Sequence, residues 1–102
     1  MSTEILAAGV TAAASAEQSV SAGMLAKLIL KPATGATLSP YSRVLVEMKT
    51  SAGEWVGVGT LSIHGVGFMP PFPAADIAGP ATFRVRRESL SDASYSCGVD
   101  LA

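Results

Sequence analysis

Cysteine and histidine are almost absent: Cys97 and His64 are the single representatives of each among 102 residues. One thiol cannot close an internal disulfide, so a small secreted scaffold stapled by bridges is excluded. One His and one Cys cannot furnish the tetrahedral ligand set of a zinc site. A Ser-His-Asp arrangement could be built only on His64, which stands between Ile63 and Gly65, and no G-x-S-x-G elbow surrounds any serine. Charge is scarce as well. Seven Lys+Arg against eight Asp+Glu leave a net charge of −1, which argues against nucleic acid or an anionic membrane as a partner. No apolar run approaches the ~18 residues of a membrane span. The start, MSTEILAAGV, lacks the basic head and continuous apolar stretch of a signal peptide.

The Gly57/Gly59 pair lacks the following helix and lysine that a phosphate-binding loop requires. The carboxylates Glu47, Glu54, Asp76, Glu88, Asp92 and Asp100 are dispersed, and no D-x-D-x-D-G loop collects them for calcium. A catalytic activity, a metal and a cofactor are therefore not expected. Aromatics reach only 6%, while hydrophobic residues reach 49%. Disorder driven by charge is thus excluded, and the core must be built mainly from Val, Leu, Ile, Met and Ala. The length fits one small domain, for which association with copies of itself or a partner is a plausible extra source of stability.

What is present reads as β structure. Residues 1–17, rich in Ala, Ser and Thr, show no 3.6-residue stripe and read as an extended N-terminal arm or a short terminal strand. Residues 18–102 read as the folded domain. Gln18–Ala22 is a short strand, Gly23 a turn, and Met24–Leu30 a strand with Met24, Ala26, Leu28 and Leu30 on one face. Its other face, Leu25, Lys27 and Ile29, is only half polar. Arg43–Lys49 and Trp55–Leu61 alternate on either side of a short Gly53-containing loop, the pattern of a hairpin. Gly57 and Gly59 leave a strip without side chains, over which Trp55 is expected to lie. Residues 62–81 read as irregular, because Pro70, Pro71 and Pro73 preclude a central strand. Ala81–Glu88 alternates with Phe83 and Val85 inward, Arg84 and Arg86 outward and Arg87 in the inward phase. Ser94–Leu101 reads as the last strand. The whole predicts an all-β antiparallel sandwich, Ig-like or jelly-roll-like.

Two segments invite a partner. The FMPPFP stretch holds Phe68, Met69 and Phe72 on a stiff backbone, and reads either as a loop capping the core or as a contact loop. Arg84 and Arg86 read either as a charged strand face that blocks edge pairing or as bidentate partners of carboxylates on a neighbour.

The Ala/Thr/Ser-rich start running into SVSAGMLAKLIL, the strand GEWVGVGTL and the ending GPATFRVRRES…SCGVDLA resemble small β-sandwich structural proteins of tailed bacteriophage virions, of the capsid decoration, cement or head-fibre type. The resemblance implies a non-enzymatic virion component assembled in the host cytoplasm. It implies a homo-oligomer (a trimer being one option) that binds the major capsid protein or another virion protein and bridges shell subunits. The chain shows no collagen-like or receptor-binding extension, which speaks against a host-binding fibre. The expected contacts are Ile5, Leu6 and Val10 of the arm, Leu25 and Ile29 of the half-apolar strip, Phe68, Met69 and Phe72, and the Arg84/Arg86 pair. The alternatives are a head–tail or tail subunit, or a carbohydrate- or surface-binding module using Trp55, Tyr41 or Phe72 as a stacking platform.

Overall fold

The computed structural model describes residues 3–38, 41–62 and 74–102. Their strands are β1 (Thr3–Gly9), β2 (Ala13–Ala14), β3 (Gln18–Val20), β4 (Leu25–Pro32), β5 (Arg43–Lys49), β6 (Trp55–Ser62), β7 (Ala74–Ala78), β8 (Ala81–Arg87) and β9 (Cys97–Leu101). One antiparallel sheet runs β1-β9-β4-β7, and the other runs β2-β8-β5-β6 with β3 also on β8. The two pack into the expected all-β sandwich.

β2 and β3 lie end to end along one side of β8: Ala13 and Ala14 pair with Arg87 and Arg86, and Gln18 to Val20 pair with Phe83 to Ala81. Ser15 bridges the gap. Its N–H donates to the Val85 carbonyl at 2.8 Å, and its hydroxyl accepts from the Val85 N–H at 3.0 Å. Counted as one interrupted strand, β2/β3 makes the pairings nested: β5 with β6, β4 with β7, β2/β3 with β8 and β1 with β9. A long hairpin rolled over itself gives this order, which is that of a jelly roll. An immunoglobulin sandwich would instead place A, B, E and D together opposite C, F and G.

Alternation along these strands sorts the side chains. Leu28 and Leu30 of β4, Val44 and Val46 of β5, Phe83 and Val85 of β8, and Cys97 and Val99 of β9 all turn into the space between the sheets and are buried. Burial also pushes the Cys97 thiol up from its ordinary pKa, which makes it a core residue rather than a nucleophile. Arg87, in the same inward phase, is buried too, at 3% exposure.

Of the two readings of residues 1–17, an extended arm or a short terminal strand, the strand holds: β1 pairs with β9, and the segment goes on to pair β2 with β8. Elsewhere the structure corrects the sequence reading. The strand expected from Met24 begins at Leu25, and Met24 is 61% exposed because Gly23, at φ 80°, turns the chain just before it. Residues 74–78, placed in an irregular stretch, form the edge strand β7, which lies just beyond Pro73 and needs no further proline-free length. The last strand starts at Cys97 rather than Ser94. The Asp92 carboxylate accepts the Ser94 N–H at 2.9 Å and caps a 3-10 turn over Ala93–Tyr95.

Candidate functional site

Sheet β2-β8-β5-β6 presents its outer face through Leu45, Glu47 and Lys49 of β5, Thr82, Arg84 and Arg86 of β8, and Trp55, Gly57 and Thr60 of β6. The pairings Glu47↔Arg84, Leu45↔Arg86 and Lys49↔Trp55 fix this arrangement. β6 carries one extra residue there, since Val46 faces Gly59 but Glu47 faces Gly57. Val58 is that bulge and stands 58% exposed.

Glu47 is the hub. Arg84 Nε donates to its Oε1 at 2.8 Å, and Arg86 Nε reaches the same oxygen at a longer 3.4 Å. The Arg84 hydrogen bond, opposed by burial, holds the Glu47 carboxyl below the ordinary glutamate value. A depressed pKa stabilises the folded state fully above the unfolded-state value, and that stabilisation disappears as the pH falls through the folded-state value. The difference in urea midpoint between the native protein and Glu47→Gln should therefore be largest near neutrality and shrink on acidification below the ordinary carboxylate range. A difference that stays constant down to strongly acidic pH would show that the ion pair contributes nothing.

Arg84 also lies over the Trp55 ring, its guanidinium carbon 4.4 Å from the centroid, and Lys49 Nζ sits 5.7 Å away. Cations thus occupy the indole surface that a sugar ring would use. Nor does Trp55 cover the glycine strip: the side chain beside Gly57 is that of Leu45, 3.5 Å from where a Cβ would stand, and Gly59 faces open space. Tyr41, 61% exposed, meets Tyr95 at 5.1 Å between centroids.

Sheet β1-β9-β4-β7 has a different outer face. Leu25 stands 61% exposed opposite Ala78, Lys27 faces Asp76, and Ile29, half-buried, is in register with Ala74 of β7 and Asp100 of β9. Lys31 closes one end by pairing with Asp100 at 2.7 Å and with Glu4 of β1. With Met24 next to Leu25, this leaves an exposed apolar end beside a paired, nearly neutral one.

The expected contact residues therefore separate. Leu25 is exposed, and Ile29 lies on the same face, as read from alternation. Arg84 and Arg86 lie outward, though both are already engaged by Glu47. Leu6 is corrected to a core residue, 6% exposed, because the irregular register on either side of it turns it inward opposite Val99. Ile5 packs against the core as well, and Val10 lends its carbonyl to the Leu90 N–H at 2.7 Å, so both serve the fold. Phe68, Met69, Phe72 and His64 lie outside the described residues. Sequence reasoning missed Arg43, which shares the outer face with Leu45 and Arg86. Its place at the head of an alternating strand was the available signal.

No protein-family model matches the chain, and neither a curated protein nor a solved structure matches it.

Proposed function

We propose that this protein is a virion structural component that docks on the outside of a bacteriophage capsid and bridges shell subunits. The observation that carries the reading is the nested jelly-roll order of the strands. That architecture recurs in viral capsid domains, a fold-level analogy. Each segment that carries the phage resemblance supplies a strand: SVSAGMLAKLIL runs through β3 and β4, GEWVGVGTL through β6, GPATFRVRRES through β8 and SCGVDLA through β9. Lectin domains use the same architecture. The cations over Trp55 favour protein docking over sugar stacking.

The apolar end of the β1-β9-β4-β7 sheet is the surface assigned to the shell. Leu25 and Ile29 point away from the core, so changing them tests docking without emptying the interior. Many weak copies acting together would give tight attachment through avidity. The test is co-sedimentation of the protein with empty shells of the major capsid protein encoded in the same genome. The native protein should pellet with the shells, and Leu25→Glu combined with Ile29→Glu should weaken this at least about tenfold by breaking multivalent contacts. Failure to pellet, or equal pelleting of the double variant with an unchanged circular dichroism spectrum, would overturn the assignment.

A further inference from the structure

We infer that the cleft on the outer face of the β2-β8-β5-β6 sheet, between Arg43 and Arg86, binds an acidic side chain presented by a partner protein. The inference rests on the docking reading and gives the chemistry that the partner must bring.

The cleft follows from register. Leu45 forms its floor, with Arg86 across on β8 and Thr60 across on β6. Arg43 lies two residues before Leu45 on the same strand, so alternation returns it to the same face. Diagonal neighbours of this kind stand within reach of long side chains. The remaining wall is the chain leaving β8 through Glu88, Ser89 and Leu90. That wall is fixed, because the Leu90 N–H donates to the Val10 carbonyl at 2.7 Å and the Leu90 side chain packs against the core. The cleft is open to solvent and has a volume of about 210 Å³, enough for one carboxylate and its stem.

Its charges are underused. Arg86 Nε shares Glu47 Oε1 with the closer Arg84, and Arg86 Nη1 lies 3.9 Å from Glu88 Oε1. Charge-assisted N–H···O bonds run at ~2.7–2.9 Å, so neither contact is a full one. Arg43 has no ion-pair partner among the described residues. Of the cleft's two guanidinium groups, Arg86 is held by long contacts to Glu47 and to the largely exposed Glu88, and Arg43 by no carboxylate among the described residues. An incoming carboxylate would accept N–H bonds from both arginines and O–H bonds from Thr60 or Ser89, with its methylene stem against Leu45 and Leu90. Glu88 competes for the same donors.

Glutarate is the probe for the isolated interaction. Titrated into the full-length protein, it should shift the Nε–H resonances of Arg43 and Arg86 saturably and leave that of Arg84 nearly unmoved. Arg43→Gln or Arg86→Gln should weaken binding about tenfold by removing a charge-assisted pair. Glu88→Gln should tighten it several-fold, an opposite sign that a merely structural Glu88 would not produce. Absence of saturation up to about 50 mM, weaker than any millimolar site, would overturn the inference. So would inorganic phosphate saturating the cleft below the glutarate concentration. The double variant at Leu25 and Ile29 should bind glutarate like the native protein, so a failed shell experiment and a failed cleft are told apart.

Discussion

Arg87→Ala is expected to lower the folding stability by about 4 kcal/mol, which would be a large share of the ~5–15 kcal/mol of a typical domain. The side chain leaves β8 toward the opposite sheet and is 3% exposed. Its Nε donates to the Thr11 carbonyl at 2.8 Å, and its Nη1 donates to the carbonyls of Ala7 at 2.8 Å and Cys97 at 2.6 Å. The acceptors come from the end of β1, the turn after it and the start of β9. One guanidinium thus ties three stretches of chain together where regular pairing is interrupted, for the register of β1 shifts between Leu6 and Gly9. No carboxylate accompanies the cation among the described residues, so the carbonyl dipoles solvate it. Truncation leaves these acceptors without their donor, and each buried orphan costs about 1–3 kcal/mol, less whatever water enters.

Arg87→Lys separates charge from geometry. An ammonium is a point donor on a flexible stem, whereas the guanidinium is a planar fork. Lysine should recover part of the loss. Arg87→Met, which keeps the stem without donors, should recover only the packing. Urea unfolding followed by circular dichroism measures all three. A cost below about 1 kcal/mol for the alanine variant, within the effect of an ordinary surface change, would show that water replaces the clamp freely.

The phase of Arg87 was readable from ATFRVRRE, since alternation placed it inward with Phe83 and Val85. What it would bind there was not readable, because its acceptors are backbone carbonyls up to 80 positions away. The same division runs through the molecule. Strands with a single buried face, such as RVLVEMK, announce themselves by period-two alternation. β1 was ambiguous because its irregular register breaks that period, and its Ala-rich composition favours no one structure. β7 is short and neighbours Pro73, so local signals favoured a loop. The nested strand order is a property of long-range pairing, which alternation does not encode. Among the expected contact residues, the outward phase of Leu25 and Ile29 was legible from alternation alone. Leu6 was misassigned because a bulge on either side resets which face it meets.

Gly98→Ala is the second large effect, expected at about 3 kcal/mol or more, the upper range for overpacking. A Cβ at this position would stand 2.3 Å from the Leu6 carbonyl oxygen, 2.6 Å from the Ala8 nitrogen and 2.8 Å from the Ala7 carbonyl carbon. All three obstacles are backbone, so no side-chain rotation relieves them. The irregular stretch of β1 therefore passes directly over β9, and glycine is what permits the approach. Relief requires lifting residues 6–8, which would also disturb the Ala7 carbonyl that Arg87 holds. The two sites are consequently coupled: combining Gly98→Ala with Arg87→Ala should cost less than the sum of the single changes, by 0.5 kcal/mol or more as is usual for groups sharing a partner. Gly59→Ala is the control, since its Cβ would meet nothing within 4 Å, and it should shift stability by no more than about 0.5 kcal/mol. Equal urea midpoints for the Gly98 and Gly59 variants would mean that β1 does not lie on β9 in solution. The N-terminal residues would then be a free arm, available to a shell partner instead of holding the sandwich together.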